Sequence, residues 1–394
     1  MIERLLKDMF RVLILLPAPY PLGGAQTLRM QLFADGLRCA GCQVAVVAAA
    51  VGGESTEMPE ANSWHKDSRG IDYLTVNCPH SCVAEKLREA VAWAFAEQDW
   101  DALLVYGPLW APIAPSVRFA RSRGVPVAAD CTEWYGFRPW RLASAGYRDH
   151  RRFHAELRRF DGAVAISSCW QRELARLGTR SIRIPAVADT QMFQEISRAT
   201  TKLDADAFTV GYFGALSRRN RATSIAAAAC MARSRGLAVR IACFGHWEKE
   251  VKLPVFYRPL AKHYSDAIEL RGWLSDRREA LTAMASCDAL VLLRGDNLAS
   301  RACFPTRIPE FLLSGKPVIT SAVGDIAEYL VDGENARLIS PTCSAKALIR
   351  VFHELAAHRD AAIKIGRNGT TTAKHHFCHL KHGRRLAHFL RSLC

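Results

Sequence analysis

The sequence predicts an α/β protein made of two tandem Rossmann-like, doubly wound domains with a cleft between them. Three observations predict it. The chain has 394 residues, more than a single hydrophobic core usually serves, so two domains are expected. Short apolar, β-branched runs alternate with amphipathic stretches, the pattern of parallel strands covered on both faces. The alternation breaks once, near Pro185, and restarts at residue 208.

In the first half, "RVLILL" (11–16), "QVAVVAA" (43–49), "DALLVYG" (101–107), "VPVAAD" (125–130) and "GAVAIS" (162–167) read as strands. Helical patterns over 25–39, 83–98, 110–123, 146–160 and 168–177 separate them. "MIERLLKDMFRVLILLPAP" imitates a signal peptide, but its apolar run is short and enters a glycine turn, so it reads as the first buried strand. The polar stretch after Pro185 reads as a linker, which divides the chain into a first domain (1–190), linker (191–207) and second domain (208–372). There "FTVGYFG" (208–214), "VRIACFG" (239–245), "IELRG" (268–272), "DALVLLR" (288–294), "KPVIT" (316–320) and "ARLIS" (336–340) are the strands. The remainder is helical, ending in a C-terminal helix placed within 373–394.

The formal charge is +15, and it is lopsided: residues 1–200 carry +3 and residues 201–394 carry +12, with no acid after Asp360. Such a balance suits phosphate-bearing ligands, an anionic membrane face or nucleic acid. No segment approaches the ~20 apolar residues of a membrane span. Thirteen scattered cysteines suit reduced thiols in a cytosolic protein. "CAGC" (39–42) and "CPHSC" (78–82) have some flavour of a zinc site, but the first flanks a turn at Gly41 and the second has an unsuitable gap, so no metal is expected.

Gly23 and Gly24 lie between the first strand and first helix, where glycine lets backbone N–H groups approach an anion. A tight turn would use the same pair, and G-x-G-x-x-G is absent, which argues against a nicotinamide or flavin enzyme. "GYFGALSRRNRATS" (211–224) repeats the arrangement with Arg218, Arg219 and Arg221, guanidiniums suited to a diphosphate. A solvated basic turn is the alternative. In "FPTRIPEFLLSGKPVI" (304–319), Thr306 is expected to cap a helix whose first turn holds Pro309 and Glu310. A carboxylate so placed matches the two hydroxyls of a ribose, and a salt-bridged glutamate is the competing reading.

These stretches carry a resemblance. "GGAQTLRMQLFADGLRCAGCQVAVV", "DGAVAISSCWQRELARLGTRSIRIPAVADTQMF" and "FPTRIPEFLLSGKPVITSAVGDIAEYLVDGENARLISP" resemble, in order and spacing, blocks of GT-B glycosyltransferases of the large retaining family 4. The resemblance implies a nucleotide-sugar donor held mainly by the second domain and a glycan, lipid-linked or small-molecule acceptor held mainly by the first. It implies transfer with retained anomeric configuration, no cofactor and no required metal, and a last helix that packs back on the first domain. Gly23, Gly24, Arg219, Thr306, Glu310 and Gly324 become the donor-binding candidates, and Glu133, Arg218 and Arg221 the catalytic ones. Two positions depart from the family pattern: its first donor-helix glutamate falls on Ala302, and its basic residue after the strand glycine falls on Ala215.

"ADCTEWYGFRPWR" (129–141) offers Asp130 and Glu133 where many relatives have a histidine. Glu133 is expected to orient the acceptor hydroxyl, with Trp134 and Tyr135 either stacking on a sugar or packing under a loop. Arg148, Arg151, Arg152, Arg158 and Arg159 on the 146–160 helix fit anionic lipid headgroups or a plain solvated face. The expectation is a cytosolic transferase of glycan or polysaccharide assembly, with peripheral contact to an anionic membrane and no nucleic-acid partner. Its rivals are a GT-B sugar-nucleotide epimerase and a non-enzymatic basic binding or partner protein.

Overall fold

The structure, a computed structural model, describes residues 9–51, 63–135, 144–193, 207–214, 220–245, 265–274, 276–342 and 345–394. They fall into two compact units. One is drawn from Met1–Val187, Ala302–Phe304 and His379–Cys394, the other from Ala188–Arg301 and Pro305–Cys378. No helix among the described residues is long and apolar enough to cross a membrane.

In the first unit, strands β1 (Arg11–Leu16), β2 (Gln43–Val51), β3 (His65–Lys66), β4 (Asp72–Cys78), β5 (Ala102–Tyr106), β6 (Val127–Cys131), β7 (Gly162–Ala165) and β8 (Ser181–Arg183) form one sheet in the order β3-β4-β2-β1-β5-β6-β7-β8. Every pairing is parallel except the short β3–β4 ladder. The helices are α1 (Ala25–Cys39), α2 (Val83–Glu97), α3 (Ala114–Ser122), α4 (Ala145–Glu156) and α5 (Ser168–Arg176). Ser144 and Ser167 cap α4 and α5, each accepting a hydrogen bond from a first-turn N–H at 3.3 Å. Three strands escaped the sequence reading. β4, "DYLTVNC", buries only Leu74, so it lacks the continuous apolar signature of the central strands.

The second unit holds β9 (Phe208–Phe213), β10 (Val239–Phe244), β11 (Ile268–Gly272), β12 (Ala289–Leu292), β13 (Val318–Ser321) and β14 (Arg337–Ile339), an all-parallel sheet in the order β11-β10-β9-β12-β13-β14. Its helices are α6 (Ala222–Arg233), α7 (Arg277–Ser286), α8 (Leu298–Ala302, which ends at the unit boundary), α9 (Arg307–Leu313), α10 (Ile326–Tyr329), α11 (Ala345–Ala357) and α12 (Arg359–His376). Both sheets thus have the doubly wound, Rossmann-like pattern expected.

The last helix, α13 (His379–Arg391), belongs to the first unit and lies on α1. Leu386, Ala387 and Leu390 join the core built by Met30, Phe33 and Leu37. The helices cross at two glycines: a Cβ on Gly383 would sit 2.2 Å from the Gly36 carbonyl carbon. At the crossing His379 Nε2 lies 3.0 Å from Asp35 Oδ2, which Arg69 also reaches at 2.9 Å. The His379 bond, opposed by burial and helped by Arg38 and Arg69, holds the Asp35 carboxyl well below the usual carboxylate range. The expected C-terminal helix within 373–394 is α13, and the end of α12 fills the residues before it. α12 stops at His376 because the chain there turns to bond elsewhere, Ala188 N–H donating to Phe377 O at 2.9 Å, and the second unit runs to Cys378 rather than 372. The expected linker lies mostly in 194–206, outside the described residues.

Candidate active site

Open parallel sheets bind ligands outside the carboxyl ends of their strands, at the point where strand order reverses. In the second unit that point lies between β9 and β12. Gly214 ends β9 with φ +123°, and Gly245 after β10 lies against it so closely that a Cβ there would meet Gly214 O at 2.0 Å. Only glycine permits that backbone approach. α6 starts after Arg221, whose φ of 52° puts a non-glycine residue in the left-handed region, a conformation costing about 1–2 kcal/mol. Strain of this kind concentrates at ligand sites. The Arg221 Nη1 donates to Pro341 O at 2.5 Å, tying the helix start to the loop after β14. Arg218, Arg219 and Ala215 lie outside the described residues.

α9 is pinned to the same strand ends. Phe311 meets Phe213 edge-on at 5.9 Å, and Phe213 stacks flat on Phe244 at 4.5 Å. One residue before Phe311, Glu310 is only 1% exposed. Its Oε2 accepts from Arg307 Nη1 at 2.9 Å. Its Oε1 sits 3.0 Å from Arg277 Nη2, yet the angle makes no hydrogen bond, and Oε1 has no hydrogen-bond partner among the described residues. Buried polar atoms are nearly always satisfied, and an exception calls for an explanation such as a ligand. The two arginine neighbours were not assigned from the sequence; Arg307 at i−3 was readable as a helical pair, whereas Arg277, on α7, gave no local signal.

Thr306 does not cap α9 as expected. Its backbone is already helical, at φ −62° and ψ −24°, and its hydroxyl makes no capping bond; the Ile308 N–H instead donates to Pro305 O at 3.1 Å. Gly324, in the turn after β13, has φ +59°, and a Cβ there would lie 3.0 Å from Arg301 O. Ala302, where the family pattern has a glutamate, is buried at the end of α8 and brings no carboxylate.

In the first unit Gly23 and Gly24 form the exposed entry to α1, and a Cβ on Gly23 would meet Thr27 Oγ1 at 2.2 Å. The turn therefore requires glycine for its own packing. Asp130 is excluded from substrate contact. It is fully buried and held by Arg29 Nε and Nη2 at 2.8 and 2.9 Å, while the same guanidinium donates to Ile184 O and Pro185 O. Glu133, just past β6, is half-buried beside Thr132, whose hydroxyl donates to Tyr106 OH at 3.1 Å. Burial pushes the Tyr106 phenol up, only partly offset by the Thr132 bond, and the charges of Glu133 and Asp130 add to the rise.

Trp134 and Tyr135 are half-buried, and each meets another ring. Trp134 lies 4.6 Å from the Trp170 ring, and Tyr135 lies 4.6 Å from the His150 ring. His150 was missed because its helix reads as a charged face. Its Nε2 accepts from Tyr135 N–H at 3.2 Å and its Nδ1 lies 3.0 Å from Pro108 O, an arrangement for the neutral ring protonated on Nδ1. Burial, with a smaller opposing effect from Pro108, lowers its pKa to about 4. Arg148, Arg151, Arg152, Arg158 and Arg159 are exposed on and just after α4. Cys78 ends β4 and Cys82 precedes α2, and no group of three or more potential metal ligands occurs among the described residues.

Residues 207–358 match the family model of glycosyl transferases group 1. No curated protein matches the chain by sequence. Among solved structures, a sucrose-phosphate synthase from Thermosynechococcus elongatus is similar with TM-score 0.72 at 17% identity, over 97% of this chain and 99% of that one. Anabaena HepE in complex with UDP-glucose gives 0.69 at 16%, over 97% and 99%. An α,α-trehalose 6-phosphate synthase from Burkholderia multivorans gives 0.69 at 12%, over 98% and 99%. At these identities the likeness shows the fold. The chain has the GT-B fold, and its residues 207–358 are similar to the glycosyl transferases group 1 family.

Proposed function

We propose that the protein is a retaining glycosyltransferase that moves a hexosyl group from a nucleotide sugar to a glycan, lipid-linked or small-molecule acceptor. The observation that carries the reading is Glu310, a buried carboxylate whose Oε1 faces Arg277 at 3.0 Å without a hydrogen bond, in a segment that matches the glycosyl transferases group 1 family model. On this reading the ribose diol donates to Glu310. The diphosphate meets the start of α6, where Arg221 stands, with Arg218 and Arg219 as its further partners. Because the solved HepE holds UDP-glucose, uridine nucleotide sugars are the first donors to test.

In the transfer, the bond from the anomeric carbon to the β-phosphate oxygen breaks and its electron pair stays on the phosphate. The acceptor oxygen bonds to the same face of that carbon, and its proton passes to the departing phosphate oxygen. The protein then has to position both substrates and stabilise the growing diphosphate charge. Glu133 is the residue proposed to orient the acceptor hydroxyl. Arginines in place of a metal predict that turnover in excess EDTA stays within roughly threefold of turnover with magnesium, and a much larger loss would require a metal in this role.

The reading places the enzyme on the cytoplasmic side in polysaccharide assembly, with the exposed arginines of α4 touching anionic lipid. The deciding experiment is a thermal-shift screen of nucleotide sugars, followed by NMR of the product's anomeric proton. A donor that binds only the native state raises the melting temperature by mass action. No stabilisation by any nucleotide sugar refutes the assignment, an inverted product refutes retention, and donor epimerisation without an acceptor favours the epimerase.

A further inference from the structure

The opposite, N-terminal edge of the second unit's sheet contains a cavity of about 610 Å³. It lies where β9, β12 and β13 begin, lined by Phe208, Asp288, Lys316 and Pro317, and α12 contributes Arg359, Ile363 and Arg367. Its size is that of a small-molecule site. Nothing in the donor reading uses it.

Its charges do not cancel. Lys316, Arg359 and Arg367 face one acid, Asp288, so the lining carries a net +2. Asp288 is committed to the fold: Oδ2 accepts from Thr209 N–H at 2.8 Å and Oδ1 from Arg359 Nη1 at 2.7 Å. It is therefore not a vacant cation ligand. The Arg367 guanidinium has no partner among the described residues. Arg359 also lies over the Phe208 ring, 5.0 Å from its centroid, which fixes one cation at the wall.

The wall between the cations is apolar and the floor rigid. Phe208 and Pro317 line it, and Ile363 stands at the rim with 49% of its surface exposed. Beneath, Gly366 of α12 presses on Gly315 so closely that a Cβ would meet Gly315 O at 2.0 Å. Backbone against backbone leaves little room for collapse, so the cavity is preformed, and a preformed site spares the ordering cost of binding.

We propose that this cavity is a second ligand site, for a small phosphate monoester with an apolar or flat body. A monoester carries about −1.5 to −2 at neutral pH, which matches the lining's net charge. The phosphate would bridge Arg367, midway along α12, and Lys316, and the body would lie on Ile363, Pro317 and Phe208. The site is separate from the Glu310 end of the sheet.

Phenyl phosphate, titrated calorimetrically into the full chain at about 0.15 M salt to suppress loose surface pairing, is expected to bind one saturable site at this edge. Inorganic phosphate and phenol should each bind at least about tenfold more weakly, as each lacks one half of the recognition. Arg367→Gln combined with Lys316→Met should weaken phenyl phosphate by about tenfold or more. Both residues reach solvent, so folding should persist, and an unchanged melting curve checks it; Arg367→Gln alone serves if the double variant melts early. Glu310→Gln should leave phenyl phosphate affinity unchanged. The proposal is overturned if the variants bind normally, if phenol or phosphate binds as tightly, or if Glu310→Gln removes the binding.

Discussion

Glu310→Gln separates a ligand-binding carboxylate from a structural one. The carboxylate is 1% exposed, whereas the side chains of its partners Arg277 and Arg307 are 27% and 32% exposed. Removing one member of a fully buried pair costs about 3–5 kcal/mol. Here both guanidiniums can rehydrate, so the cost to folding should be nearer 1–2 kcal/mol, the range of a hydrogen bond to a charged group. Binding should suffer separately. A carboxylate accepts from both ribose hydroxyls, and glutamine offers one acceptor oxygen and a competing donor. Losing one charge-assisted bond costs about 1.5–3 kcal/mol, or roughly 10- to 150-fold in Kd. Calorimetry with UDP on wild type and variant reads the second effect, and thermal melts read the first. A cycle with 2′,3′-dideoxy-UDP isolates the contact, because the variant should distinguish the two nucleotides less than wild type does. If melting falls while UDP affinity and that discrimination stay unchanged, Glu310 merely ties Arg277 to Arg307 and the donor assignment fails.

Other expectations concern the first unit. Gly383→Ala should destabilise the protein by about 1–3 kcal/mol, since overpacking against the Gly36 backbone outweighs the ~1 kcal/mol gain in helix propensity; an unchanged urea midpoint would contradict the crossing. His150 is held neutral, with its pKa lowered from 6.5 to about 4. The unfolded chain therefore takes up the proton first as pH falls. This stabilisation is complete above about pH 6.5 and is lost towards pH 4, amounting to about 3 kcal/mol. His150→Gln should flatten that stretch of the stability-against-pH curve, and an equally steep variant curve would show that other groups set it. Asp35, held low by His379, acts further into acid: its stabilisation is present above the ordinary carboxylate pKa and lost below it. Asp35→Asn should therefore flatten the acid limb of the denaturation curve, and an unaltered limb would remove Asp35 as its cause.

The doubly wound fold was readable because its central strands are apolar on both faces. Val12 to Leu16 and Leu103 to Val105 are each fully buried, and that leaves a continuous signature. β4 lies towards the edge and left none. The place of Glu310 in the first turn of a helix was legible because helix-start chemistry is local: proline, acid and apolar stripe lie within a few residues. What lay outside a local window was lost. Asp130 looked like a catalytic substitute until its partner appeared 101 residues earlier, at Arg29. His150 was missed, and the packing of Trp134 left open, for the same reason, since a sequence shows composition but not which ring meets which. Thr306 failed as a cap through backbone geometry alone, which no residue type announces.

The Gly36–Gly383 crossing has a consequence for biosynthesis. The first unit takes its final helix from the far end of the chain, so an emerging polypeptide cannot finish that unit until residues 379–394 leave the ribosome. Residues 188–378 meanwhile hold nearly everything their own core needs and can fold first, reversing the usual N-terminal-first order. Until then the apolar side of α1, with Met30, Phe33 and Leu37, lacks its cover. Chains cut short before residue 379 should accordingly have an early part that stays soluble only with chaperone help, while residues 188–378 are already native.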